Sequence, residues 1–217
     1  MCYTAKDSLN AYVINFISSI LLYKYSNSND MKILALFLLF VGQMQLFDYL
    51  FWVNLKCNKT NKLVTKLAII FNHLQPIVLF LLINYYGYNQ SSFSKTIITL
   101  YTIFMIYYTV KLWPDDNCTI KDSVCCSLPY NPSDNKQVIK WQWNSQKYKK
   151  IMYILFLISL VSLSLDLKKD NNLIIFITIG LFFISFKIPV LSKSNGRLWC
   201  YMASFVPLVL LIKEKLF

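Results

Sequence analysis

One histidine, four glycines and ten acidic residues are all that this 217-residue chain contains of those types. Each scarcity removes a class of chemistry. A single histidine cannot supply the imidazole sets that hold catalytic zinc, and the six cysteines include no Cys-x-x-Cys pair. Four isolated glycines build neither a phosphate-cradling loop nor a Gly-x-x-x-Gly helix-packing motif. No Gly-x-Ser-x-Gly turn presents a nucleophile. No metal and no cofactor is therefore expected, and the chain leans away from enzymes.

Charge is scarce as well. Charged residues make up 15% of the chain and apolar residues 56%, whereas a soluble domain carries about a quarter charged residues. The net charge of +12 comes from basic residues placed singly or in pairs at the ends of apolar runs. They form no basic helical stripe and no recognition motif, so nucleic acid is not an expected partner; anionic lipid headgroups are.

What the chain has in abundance is long uncharged sequence. Seven runs separate Asp7 from Lys24, Lys32 from Asp48, Lys66 from Lys95, Lys95 from Lys111, Lys150 from Asp166, Asp170 from Lys187 and Arg197 from Lys213. A soluble helical domain of this size needs amphipathic helices, and these segments are apolar all round. The expectation is an all-α, polytopic transmembrane helix bundle of about seven helices, at about 8–25, 32–54, 63–86, 94–112, 149–167, 171–189 and 197–213. It forms a single integral membrane domain, 1–217, with a polar loop at about 113–148. Several uncharged cores are only roughly 23 Å long at 1.5 Å per residue, which suits a thin bilayer such as the endoplasmic reticulum. The first run lacks an A-x-A-like cleavage site and is expected to stay as a signal anchor.

Alternate sides of this arrangement collect 15 and 7 basic residues. By the positive-inside rule the richer side, which includes the N-terminus, is cytoplasmic. Cys2, Cys57, Cys118, Cys125 and Cys126 lie in the arm or loops of that side, with Cys200 near the start of the last helix. On a cytosolic face they would be reduced thiols; with the opposite topology, a disulfide set.

Intramembrane polar residues are costly and mark the place to look for a site. Gln45, Asp48 and Trp52 share one face of the second segment by their spacing of three and four. The third segment carries Asn72-His73-Leu74-Gln75-Pro76, with Asn72 and Gln75 on one face and Pro76 freeing a carbonyl one turn back. The two segments are antiparallel neighbours, so Gln45, Asp48, Asn72, His73 and Gln75 form the candidate polar cluster. It either ties helix to helix or lines a ligand pocket, in which Asp48 pairs with His73. Trp52, Trp143 and Trp199 are candidates for a pocket mouth, or else interfacial anchors.

Four stretches taken together, Met1-Cys2-Tyr3-Thr4, Gln45-x-x-Asp48-x-x-x-Trp52, Asn72-His73-Leu74-Gln75-Pro76 and Leu198-Trp199-Cys200, resemble an uncharacterised family of multi-pass membrane proteins. That family occurs in mimivirus-like giant DNA viruses and some protists. Its members start Met-Cys-aromatic-Ser and show Glu at the position of Asp48. The resemblance implies a virion or host-membrane setting and supplies no catalytic residues. The functional expectation is a non-enzymatic ligand-binding, lipid-binding or structural membrane component. The alternative is a lipid-modifying enzyme or small transporter using Asp48 and His73.

Overall fold

The computed structural model describes residues 4–112, 120–122, 138–140, 148–167, 180 and 195–216. The chain is helical: α1 Ala5–Tyr25, α2 Asn29–Val53, α3 Lys59–Tyr85, α4 Ser92–Leu112, α5 Lys149–Leu165, α6 Asn195–Ala203 and α7 Val206–Leu216. Three of these carry a stretch long and apolar enough to cross a membrane, Asn29–Val53, Lys59–Tyr85 and Ser92–Val110. Each of the first five expected segments contains a helix. The sixth, 171–189, lies outside the described residues except for Gly180, which is helical.

Two features correct the sequence reading. The last segment is not one helix: it breaks at Ser204–Phe205 into α6 and α7. Pro207 has no N–H to give the carbonyl one turn earlier, so the helix cannot run through without an orphaned acceptor. The stretch expected to be only a polar loop holds a short antiparallel ribbon, β1 Ile120–Asp122 with β2 Val138–Lys140. Its register pairs Ile120 with Lys140 and Asp122 with Val138.

The ends of the helices follow from local chemistry. Thr4 opens α1 with a capping box, its hydroxyl accepting from Asp7 N–H at 3.1 Å while Asp7 accepts from Thr4 N–H at 3.0 Å. Asn58 caps α3 by accepting from Asn61 N–H at 2.9 Å. Pro76 sits inside α3 without ending it.

α1 packs along α2 and against α7; α2 also meets α3 and α6; α3 meets α4 and α5, and α4 lies along α5. At Gly42 the side chains of α1 reach the backbone of α2. A Cβ there would stand 2.1 Å from Asn15 Oδ1, so glycine leaves Asn15 room to give its amide to the Ser204 carbonyl at the α6–α7 break.

The polarity of α1 is inverted relative to a helix in water. Its buried stripe is Ser8, Ala11, Asn15, Ser18, Ser19 and Leu22, whereas Leu9, Val13, Phe16, Ile17 and Ile20 are exposed. Apolar exposure continues over Leu100, Ile103, Ile106 and Val110 of α4, Ile151, Ile154 and Ile158 of α5, and Val209 and Ile212 of α7.

One end of the structure is tied by polar contacts from Ser26, Tyr88 and Gln90, which lie between helices. The Tyr88 hydroxyl donates to Asp30, Gln90 Nε2 donates to the Phe80 carbonyl at 3.1 Å, and Ser26 Oγ donates to Glu214 at 2.7 Å. The Lys215 ammonium stands 4.3 Å from the Tyr25 ring centroid. Burial and the Asp30 carboxylate push the Tyr88 phenol up to about 12.

Candidate functional site

The α2–α3 register decides which cluster residues can meet. Phe71 of α3 stacks on Phe40 at 5.0 Å and meets Phe47 edge-on at 5.2 Å. In an antiparallel pair this places Asp48 at the level of Thr65–Lys66 and Gln45 near Ile69. Asn72 and His73 then lie roughly 8–10 Å further along the helix axis, at 1.5 Å per residue. Gln45, Asp48, Asn72, His73 and Gln75 are all buried, yet they do not occupy one level. Gln45 and Asp48 belong to the α2–α3 seam, while Asn72 and His73 belong to a different constellation.

That constellation is a closed circuit of side chains from α3, α4, α5 and α6. The His73 carbonyl accepts from the Tyr101 hydroxyl at 2.6 Å. Tyr101 meets Phe156 edge-on with ring centroids 6.2 Å apart, and Phe156 meets Trp199 edge-on at 6.0 Å. Trp199 adjoins Cys200, which lies within electrostatic reach of Tyr153. Tyr153 in turn lies beside Asn72 and close to Tyr108. Tyr108 closes the circuit by meeting the His73 ring edge-on at 5.5 Å.

Each helix presents its part of the ring through its own periodicity. Ile98, Tyr101, Met105 and Tyr108 form the buried stripe of α4 at spacings of three and four. Met152 and Phe156 do the same on α5, and Trp199, Cys200 and Ala203 on α6. Pro76 has no N–H for the Asn72 carbonyl one turn back, which loosens the turn that holds His73, and the His73 carbonyl there accepts from Tyr101.

Among the described residues, the buried polar atoms without a hydrogen-bond partner are Asn72 Nδ2, His73 Nδ1, Trp199 Nε1, both amide atoms of Gln75 and of Gln45, Trp52 Nε1, Gln90 Oε1, Asp166 Oδ2 and, on α1, Ser8 Oγ, Asn15 Oδ1 and Ser19 Oγ. Each such group costs about 1–3 kcal/mol when nothing satisfies it. Three of them, Asn72, His73 and Trp199, sit in one ring. Two of those three, the Asn72 amide nitrogen and the Trp199 indole nitrogen, can only donate. The residues of the circuit include no acidic side chain, lysine or arginine. A thiol and an imidazole are present, but Tyr108 and Tyr153 stand between them in the circuit.

Trp199 is thus interior, packed on Phe156, and Trp52 is half-buried on α2, against which α6 packs. Trp143 lies outside the described residues, as do Cys2, Cys118, Cys125 and Cys126. Cys57 is disulfide-bonded, and Cys200 is buried and in no disulfide. Among the described residues no group of three or more His, Cys, Asp or Glu could hold a metal ion.

Sequence reasoning does not single out Tyr101, Tyr108 or Tyr153. A signal exists for two of them: tyrosines seven residues apart share one helix face, and a phenol on a buried face needs a partner. Tyr153 offers no such pattern.

Comparison of the chain with protein-family models, with curated proteins and with solved structures finds no match.

Proposed function

We propose that this chain is a multi-pass integral membrane protein whose α3–α6 interior binds a small polar-headed ligand, in a role that is binding rather than catalytic. The membrane part rests on the inverted polarity of α1 and on the apolar exposure of α4, α5 and α7, which water would not tolerate and lipid requires. The binding part rests on one observation: donor groups of Asn72 and Trp199 left without partners in a ring of aromatic walls. In hydrocarbon such groups must be met by something, and among the described residues nothing meets them.

The register gives no support to an enzyme or transporter built on an Asp48–His73 proton pair, because those residues stand at different levels of the α2–α3 seam. The resemblance to proteins of giant viruses and protists supports a virion or host membrane, the endoplasmic reticulum included, as the setting.

Two signals bear on orientation and they oppose each other. The lysine distribution favours a cytoplasmic N-terminus, whereas the Cys57 disulfide favours an oxidising compartment for the same face. The lysine asymmetry is a bias acting during insertion; a disulfide must persist against the cytosolic thiol pool. We therefore place the cysteine-rich face and the N-terminus outside the cytosol.

Native mass spectrometry of the protein released from lipid nanodiscs tests the binding reading. Wild type is expected to retain one bound small molecule that Trp199→Phe and Asn72→Leu release. Wild type flying free of any adduct under conditions that keep it folded would leave the ring a purely structural contact.

A further inference from the structure

Where α1 and α7 end side by side, the charged groups are sorted by sign. Asp30 is buried and accepts from the Tyr88 hydroxyl, and half-buried Glu214 accepts from the Ser26 hydroxyl at 2.7 Å. Both acids are thereby turned toward donors of the protein itself. Lys24 and Lys215 are exposed, and they stand over one ring. The Lys215 ammonium is 4.3 Å and the Lys24 ammonium 5.6 Å from the Tyr25 centroid. The two cations are therefore no further apart than about 10 Å, one Debye length at about 0.1 M salt. An anion beside the ring is attracted by both.

The helix faces that lead to these lysines say which anion fits. Val13, Ile17, Ile20 and Lys24 are all exposed and follow at spacings of four, three and four, so they form one stripe of α1. Leu208, Ile212 and Lys215 form a matching exposed stripe on α7, which packs against α1. Each lysine ends an apolar face. Granted the membrane reading, those faces lie against acyl chains and the lysines reach headgroup level, stems in the apolar layer and ammoniums at the phosphates. Tyrosines mark the same level: Tyr23 and Tyr25 are exposed on α1 and Tyr85 on α3, and the Tyr23 and Tyr86 hydroxyls are 3.5 Å apart. A soluble acidic peptide would meet the lysines and leave both stripes bare. A phospholipid covers lysines and stripes together.

We propose that Lys24 and Lys215, gathered on the Tyr25 ring, hold the phosphate of an anionic phospholipid whose acyl chains lie along the exposed stripes of α1 and α7. A net negative headgroup leaves its phosphate charge unopposed, whereas phosphatidylcholine brings its own cation to the same place. With the N-terminus outside the cytosol this end meets the cytoplasmic leaflet, which is the anionic one. A ligand in the α3–α6 interior plays no part in this contact.

The test places the full chain in nanodiscs of equal parts phosphatidylcholine and phosphatidylglycerol with matched tails. The protein is extracted into mild detergent, and the phospholipids that stay with it are counted by mass spectrometry. Wild type is expected to enrich phosphatidylglycerol. One lysine at an anionic surface is worth about a fivefold preference, so Lys24→Gln and Lys215→Gln should each lower the enrichment by about that factor. Lys59→Gln removes the same charge from an exposed residue at the start of α3, at the opposite end of the bundle, and should change little. Tyr25→Leu keeps every charge and removes the ring, so it should lower the enrichment; Tyr25→Phe keeps a ring face for the cations and should restore it. All four positions are exposed, so the variants leave the core intact. Equal losses in Lys59→Gln, Lys24→Gln and Lys215→Gln would overturn the site and reduce the effect to diffuse attraction by a chain of net charge +12. Tyr25→Leu matching wild type would overturn the role of the ring in gathering the lysines. Wild type that enters nanodiscs and shows no preference for phosphatidylglycerol overturns the proposal and leaves the membrane reading standing. A monomer soluble without detergent or lipid is what overturns the membrane reading itself.

Discussion

Gln75 offers a direct measure of what an unsatisfied polar group costs in this interior. It is fully buried, and neither its Oε1 nor its Nε2 has a hydrogen-bond partner. Leucine has nearly the same volume and places no polar atom where the amide was. Replacing an unsatisfied buried amide by a shape-matched apolar group recovers its desolvation penalty of about 1–3 kcal/mol. It also adds the contacts of a branched aliphatic group at roughly constant volume, a change that cores tolerate. The expectation for Gln75→Leu is therefore a gain of about 1–3 kcal/mol, which for a chain of this size moves the midpoint of thermal unfolding up by roughly 2–10 °C. The assay is thermal unfolding of the purified protein in ligand-free detergent, followed by circular dichroism. Gln45→Leu is the matched second site, since its amide is equally buried and equally unpartnered. A fall of several degrees for both variants would refute the reasoning. It would mean that the amides are satisfied by bound water or by a molecule retained through purification, with removal then costing a real hydrogen bond.

Gly42→Ala is expected to destabilise by about 1–3 kcal/mol through overpacking, because the new Cβ would fall 2.1 Å from Asn15 Oδ1; a double variant with Asn15→Ala should recover much of the loss. The Tyr88 phenol is raised from 10.0 to about 12 in the folded protein, so the folded state holds its proton where the unfolded chain has released it. Its contribution to stability is then fully present below pH 10 and declines as pH rises toward 12, and Tyr88→Phe should flatten that part of a pH–stability profile. The Cys57 disulfide predicts that a membrane-impermeant maleimide labels Cys57 only after a membrane-impermeant reductant has been added to the non-cytosolic side. Labelling from the cytosolic side without reduction would restore the orientation indicated by lysine.

How much of the fold and the ring is legible in the sequence differs from residue to residue. Uncharged run length locates α1 to α5 because the absence of charge along a helix is a one-dimensional property that needs no knowledge of packing. It fails at 197–213, where the run is equally apolar but Pro207 removes a donor and breaks the span in two. Spacing correctly puts Gln45 and Asp48 on the buried face of α2, and Asn72 and Gln75 on that of α3. The relative level of those two helices is not readable, because it is set by where Phe71 settles between Phe40 and Phe47. That is a packing decision with no local signature. The same holds for Tyr153, whose meaning appears only when α3 and α6 arrive from distant parts of the chain to meet it.

The buried polar face of α1 is only partly satisfied, as the ring is. Ser18 and Ser204 bond back to carbonyls of their own turns, and Asn15 gives its amide to the Ser204 carbonyl. Polar groups in an apolar interior are driven to find partners within the protein, and along α1 only some do: Ser8 Oγ, Ser19 Oγ and Asn15 Oδ1 have none. Asn72 Nδ2 and Trp199 Nε1 face the same penalty, and apolar side chains at either position would remove it. If the ring were only packing, Trp199→Phe and Asn72→Leu should each raise the unfolding midpoint of ligand-free protein and leave native mass spectra unchanged. A rise in ligand-free stability together with loss of the bound molecule is the combination that assigns the penalty to binding.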